Sequence, residues 1–218
     1  MSFGHWPAPN ILALYRLDNV NDASGNSHTL TNEGTVTFGL GKFGKCALLG
    51  SSNTSKYLSH GDSLGKDLSG AASVSIWFMI LTPPSSGAAQ TIFTWDSTTG
   101  TTRYIQLMYS NDGGTYQLSL DASGTVITYV VTLSANVWYK VDVVIGTTVS
   151  LYLNGTLRAS GSRGTAITTD AWVQLGNYSA GGSSSFLKGN IDESVFFNVS
   201  RTAVDIRRRY AFERGMLV

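Results

Sequence analysis

The chain has 218 residues, an ordinary length for one large β-sandwich, and 42% of them are hydrophobic, enough to bury a sizeable core. Charged residues make up only 13%, against about 25% in average domains, and the net charge is +1. This balance excludes a global pull toward nucleic acid or an anionic membrane, and no run approaches the ~18 apolar residues of a membrane-spanning helix.

The start, Met1-Ser2-Phe3-Gly4-His5-Trp6-Pro7, lacks the charged and apolar regions of a secretory leader. Residues 1–10 read as an arm outside the sandwich, with Phe3 and Trp6 as rigid anchors for assembly. Its prolines lower the entropy lost on docking. Strands are then predicted at Ile11–Leu17, Cys46–Gly50, Lys56–Ser59, Val74–Leu81, Thr91–Trp95 and Tyr104–Tyr109. They continue at Tyr116–Leu120, Thr125–Thr132, Trp138–Ile145, Val149–Leu153, Trp172–Leu175 and Gly189–Asn198. Clusters of Gly, Ser, Asn, Asp and Pro separate them, and many short strands so spaced predict an all-β sandwich over residues 11–200. Val74–Leu81 is apolar on both faces, as a central strand covered on both sides would be. Cys46 is the single cysteine, which excludes an intrachain disulfide; set in an apolar run, it reads as an inert buried thiol.

The most telling segment is Trp138–Ile145 followed by Val149–Leu153 and Asn154-Gly155. Apolar residues alternate in both strands, so one face is buried. Asn-Gly suits a type I′ turn, which needs positive φ at both central residues. Residues 201–218 close the chain as a helix and tail. Thr202 and Asp205 form a capping-box-like pair, Ile206 and Tyr210 lie one turn apart, and Gly215 supplies a stop.

These segments resemble laminin G-like domains of the concanavalin A-like superfamily. The resemblance rests on Leu14–Asp18 with the turn Asp22–Asn26, on Gly41–Leu48, Ser73–Phe78, the late hairpin and Gly189–Val195, in order and closed by the helix. It implies a two-sheet antiparallel jelly roll with first and last strands adjacent. It further implies a structural calcium ion held by Asp18, Asp22 and Asp192; the alternative is that Asp192 pairs with an arginine such as Arg16 or accepts backbone N–H bonds.

Catalysis is not expected. Family-16 glycoside hydrolases on this fold carry E-x-D-x-x-E on one strand, and no such string occurs here. Retaining hydrolysis needs two carboxylates about 5 Å apart flanking the bond, and Asp192 and Glu193, being adjacent, alternate to opposite faces of a strand and cannot cooperate. His5, His28 and His60 fall in unrelated segments without metal-ligand spacing. Sugar sites on β-sandwiches use exposed aromatics, and the pool near polar neighbours is Trp95, Tyr104, Tyr109, Tyr116, Tyr129 and Tyr178. Bacteriophage tail and head-decoration proteins use such modules, so the resemblance together with the leaderless start ranks a non-catalytic virion surface protein first. Its expected partners are copies of itself, larger virion proteins and cell-surface glycans. A stand-alone, extracellular carbohydrate-binding lectin ranks second and a polysaccharide-active enzyme third.

Overall fold

The computed structural model describes residues 10–52, 55–61, 64, 70–97, 105–164, 171–180 and 183–215. In chain order the strands are β1 (Ile11–Tyr15), β2 (Thr31–Glu33), β3 (Thr37–Leu40), β4 (Lys45–Leu48), β5 (Tyr57–His60) and β6 (Ala72–Ile80). Next come β7 (Ala89–Ser97), β8 (Ile105–Asp112), β9 (Thr115–Ala122), β10 (Thr125–Val130), β11 (Trp138–Ile145) and β12 (Thr148–Leu153). Then follow β13 (Thr156–Ser162), β14 (Ala171–Leu175), β15 (Ser179–Ala180), β16 (Ser183–Ser184), β17 (Gly189–Phe197) and α1 (Ala203–Gly215).

Two antiparallel sheets stack face to face. The first runs β13-β12-β11-β6-β17-β4-β3, with β1 also paired to β17; the second runs β10-β9-β8-β7-β14-β5-β2. This is the expected all-β sandwich with one short C-terminal helix, and β1 lies beside β17 as the jelly roll requires. The central place of β6 accounts for its unbroken apolarity: Val74, Ile76, Phe78 and Ile80 enter the core, while Trp77 faces out under α1. The sheets interlock through Phe196 of β17, whose ring meets Trp95 (5.3 Å, 89°) and Phe93 (6.5 Å, 83°) of β7 edge-on. Such pairs contribute about 0.5–1.5 kcal/mol beyond the area they bury.

The pattern of alternation missed β2, β3 and β13 and the two-residue β15 and β16. Strand β13 (TLRASGS) is an edge strand that exposes most of its residues, so it carries no apolar stripe. Gly161 on it is a packing necessity, because a Cβ there would lie 2.7 Å from Ile127 Cγ2 of the opposite sheet. A glycine therefore marks where the sandwich closes.

Helix α1 starts as predicted. The Asp205 amide donates to Thr202 Oγ1 (3.1 Å), and that hydroxyl donates to the Asp205 carboxylate (2.7 Å). The helix buries only Ile206 and Glu213 among its residues. Glu213 accepts hydrogen bonds from Lys140 Nζ (2.6 Å), Trp77 Nε1 (2.9 Å) and Arg209 Nε. Burial alone would raise its pKa, but Lys140 and Arg209 hold the carboxyl below its ordinary value.

Candidate functional site

One row of residues crosses the whole second sheet on its outer face. Cross-strand register aligns Thr31, Ser59, Gln174, Thr94, Gln106, Asp121 and Val126, one from each strand. Six of the seven are polar, and their inward-facing neighbours Leu58, Val173, Trp95, Leu107 and Leu120 belong to the core. Period-two alternation thus places a band of amides and hydroxyls directly behind an apolar wall. The middle of the band is enclosed: Gln174 is 2% exposed, Thr94 1% and Gln106 1%.

The chain leaving β14 provides part of the enclosure. Thr94 Oγ1 donates to the main-chain oxygen of Asn177 (3.2 Å), and the Thr91 amide donates to Ser185 O (2.9 Å). The Thr91 and Ser185 hydroxyls lie 2.5 Å apart, and Gln106 Nε2 donates to Thr91 Oγ1 (3.1 Å). The carbonyl oxygen of Gln106 and both amide atoms of Asn177 have no hydrogen-bond partner among the described residues. A buried polar group left unmatched costs about 1–3 kcal/mol, so three such atoms on one face are unusual.

The family model for the concanavalin A-like lectin/glucanases superfamily matches residues 51–207. The chain belongs to the concanavalin A-like lectin/glucanase superfamily. No curated protein matches it at the level of sequence. Among solved structures, domain 4 of AbnA, an extracellular arabinanase from Geobacillus stearothermophilus in complex with arabinotriose, is 21% identical with a TM-score of 0.68. The alignment covers 91% of this chain and 97% of that domain. The binding domain of botulinum neurotoxin DC in complex with SialylT is 14% identical (TM-score 0.68), with 94% of this chain and 51% of that one covered. The binding domain of Paraclostridial Mosquitocidal Protein 1 is 14% identical (TM-score 0.70), covering 93% and 52% respectively. The chain therefore spans about half of each toxin domain, and at these identities the likeness is one of fold.

On this concanavalin A-like frame the expected aromatic pool disperses. Trp95 and Tyr109 are fully buried in the core and present no ring face to a ligand, which corrects their place in the pool. Trp95 belongs to the inward set of β7, and the Tyr109 hydroxyl accepts the Leu133 amide (3.0 Å). Tyr116 stacks on Tyr109 (5.7 Å, 19°), and Tyr129 lies half-buried beneath Arg158 (5.2 Å). Tyr178 is buried beside Asn177. Tyr104, Phe3 and Trp6 lie outside the described residues. The polar band left a signal in the sequence, since Thr94, Gln106 and Gln174 are the polar alternates of apolar strands. Only the register between strands, invisible in any one of them, brings them into line.

The three aspartates serve separate backbone groups. Asp22 accepts the amides of Leu14, Ser24 and His28 and the Ser24 hydroxyl, and Asp18 accepts the Lys45 amide. Asp192 accepts the amides of Lys42 (2.8 Å), Phe43 (2.9 Å) and Glu193 (2.8 Å). No group of three or more His, Cys, Asp or Glu side chains arranged for a metal occurs among the described residues, so the calcium expectation gains no shared ligand set from them. Asp192 is fully buried, and burial pushes it up to about 8 against the pull of its three N–H donors. Its neighbour Glu193 sits at φ 42° in a bulge of β17, where the partner strand changes from β4 to β1. Burial raises Glu193 to about 7, with Arg16 opposing. Cys46 is buried as expected, its thiol pushed up to about 12 by burial and by Asp192.

The histidines depart from expectation. His28 and His60, distant in sequence, meet with ring nitrogens 3.3 Å apart. Burial and His60 lower the His28 pKa, while Asp22 opposes.

Proposed function

We propose that the chain is a non-catalytic glycan-binding module whose ligand contacts the polar side of the second sheet. The observation that carries this reading is the row of six polar side chains that strand register aligns across that face, enclosed at its middle and reachable at exposed Thr31 and half-buried Asp121. A polyhydroxylated ligand supplies both donors and acceptors, so it suits such a face better than an apolar or a charged molecule would. The arabinotriose and SialylT complexes of the similar structures are in keeping with it. The carboxylates Asp142 and Glu193, each influenced by Glu213, lie buried as Glu213 does, and Glu213 is tied to cations. That arrangement favours a structural role for them over hydrolysis. A virion surface role rests on resemblance and a low-charge surface, and the arabinotriose and SialylT complexes of the similar structures favour glycan recognition ahead of it.

Calorimetric titration with neutral oligosaccharides, arabinotriose among them, tests the proposal. Thr31→Ala and Asp121→Ala, at the reachable ends of the band, are expected to weaken binding at least tenfold, about 1.4 kcal/mol. Thr31→Ala should scarcely change stability, because that side chain is exposed. Binding untouched by either substitution, or turnover of the sugar, would refute the assignment.

A further inference from the structure

A second surface lies on the other side of the molecule, between α1 and the β12–β13 hairpin. Here a groove of about 650 Å³ is lined by Arg207, Tyr210 and Arg214 of the helix and by Tyr152, Asn154 and Leu157 of the hairpin. The helical residues stand at i, i+3 and i+7, which puts them on one face. The two guanidinium-bearing positions are about 10.5 Å apart along the axis, roughly the length of a disaccharide.

The groove is held in shape by packing already committed elsewhere. The Tyr210 ring stacks on Trp77 (5.9 Å, 25°). A Cβ on Gly155 would lie 3.0 Å from Tyr210, and Asn154 (φ 52°) and Gly155 (φ 74°) adopt the left-handed turn predicted for them. Asn154 Oδ1 accepts the Lys140 amide (2.9 Å), which fixes the hairpin tip to the central sheet. Tyr210 and the turn are therefore placed before any ligand arrives.

The charges in the groove lack this internal commitment. Arg207 and Arg214 are exposed and form no ion pair among the described residues, and no Asp or Glu lines the groove. The nearby carboxylates are engaged, Asp205 by Thr202 and Glu213 by Lys140, Trp77 and Arg209. In a chain with only 15 Lys and Arg in all, four arginines fall on this one helix. Guanidinium groups match carboxylate and sulfate oxygens with paired hydrogen bonds, while tyrosine rings and hydroxyls suit the body of a sugar.

We propose that this groove is a second, anionic subsite that takes a saccharide bearing carboxylate or sulfate groups, with Arg207 and Arg214 as its anion contacts. That the ligand is a saccharide rests on the glycan-binding reading above; the charge preference rests on the groove alone.

The experiment titrates the full chain with a sulfated heparin hexasaccharide, with an oligogalacturonate and with neutral arabinotriose, each at 25 and 200 mM salt. At least one acidic probe is expected to bind, to weaken several-fold at the higher salt, and to lose at least tenfold in the Arg207→Ala/Arg214→Ala double variant. Thr31→Ala should leave that binding intact. Because heparin carries carboxylates as well as sulfates, heparin binding without oligogalacturonate binding identifies sulfate as the preferred group, and oligogalacturonate binding shows that carboxylate suffices. Unchanged melting of the double variant secures the comparison, and Arg207→Lys/Arg214→Lys provides a second, charge-preserving variant if it does not. Acidic probes that bind equally to wild type and the double variant overturn the subsite. Neutral binding with no acidic binding overturns it too, yet leaves the module reading standing. If no sugar of either kind binds, both readings fall together.

Discussion

Glu193 combines two costs that seldom coincide, a left-handed backbone and a buried carboxyl. Its position explains the first: β17 must change partners there, and the bulge lets Asp192 reach the Lys42 and Phe43 amides while Ser194 returns to pair with Tyr15 of β1. The second makes stability depend on pH. A carboxyl with a raised folded pKa binds its proton more tightly in the folded state than in the unfolded one. The stability so gained is full below about pH 4 and is lost as the pH rises through the folded value. For Glu193 that value is about 7. Urea denaturation between pH 5 and 7.5 should show a steeper loss of stability with rising pH in wild type than in Glu193→Gln; equal slopes would show that Glu193 does not titrate there. His28 works in the opposite sense. Its folded pKa is lowered, so the folded state resists protonation and stability falls as the pH drops through about 6.5. His28→Gln should flatten that acid limb while leaving the alkaline one unchanged.

At the scale of elements, α1 shows how a polar helix can be held firmly on a sheet. With only Ile206 and Glu213 buried, hydrophobic contact is slight, and docking falls to the Glu213 network and the Tyr210–Trp77 stack. The side chains of Lys140 and Glu213 are 1% and 3% exposed, so removing Glu213 strands the Lys140 charge away from water, whereas removing Lys140 leaves Glu213 paired with Arg209. A loss of about 3–5 kcal/mol is expected for Glu213→Ala and a smaller one for Lys140→Ala, whereas Lys140→Met combined with Glu213→Leu should cost much less than the two singles together. A double-mutant cycle by chemical denaturation measures this, and strict additivity would contradict it. The helix itself was legible from Thr202, Asp205 and Gly215, because capping is written in neighbouring residues. Its anchor was not, because nothing near Glu213 in the chain reveals that it lies over Lys140 and Trp77. The same division holds among strands. Strands β6 and β11 announce themselves by apolar alternation, while β2, β3 and β13 are edge strands or next to an edge and are recruited by their neighbours.

For the whole molecule, the sandwich was legible because its core is written in periods of two along many separate strands, and each ordered segment narrowed the choice of fold. The candidate sites were hidden for the complementary reason. The polar band needs the register of seven strands, and the arginine groove needs a helix placed against a distant hairpin. Aromatic content misled, since the sandwich draws Trp95 and Tyr109 inward to fill its middle. With the band on the second sheet and the groove on the outside of the first, the two surfaces share no lining residue. Ligands at such separate sites should stabilise the fold independently. A ligand held at 100 times its Kd adds about 2.7 kcal/mol. For a domain of this size that raises the melting temperature by roughly 5–11 °C. Thermal unfolding with a neutral glycan, an acidic glycan and both should therefore show two shifts whose sum matches the combined one. Arg207→Ala/Arg214→Ala should abolish only the acidic shift and Thr31→Ala/Asp121→Ala only the neutral one. A combined shift no larger than the greater single one would mean that both sugars compete for one surface.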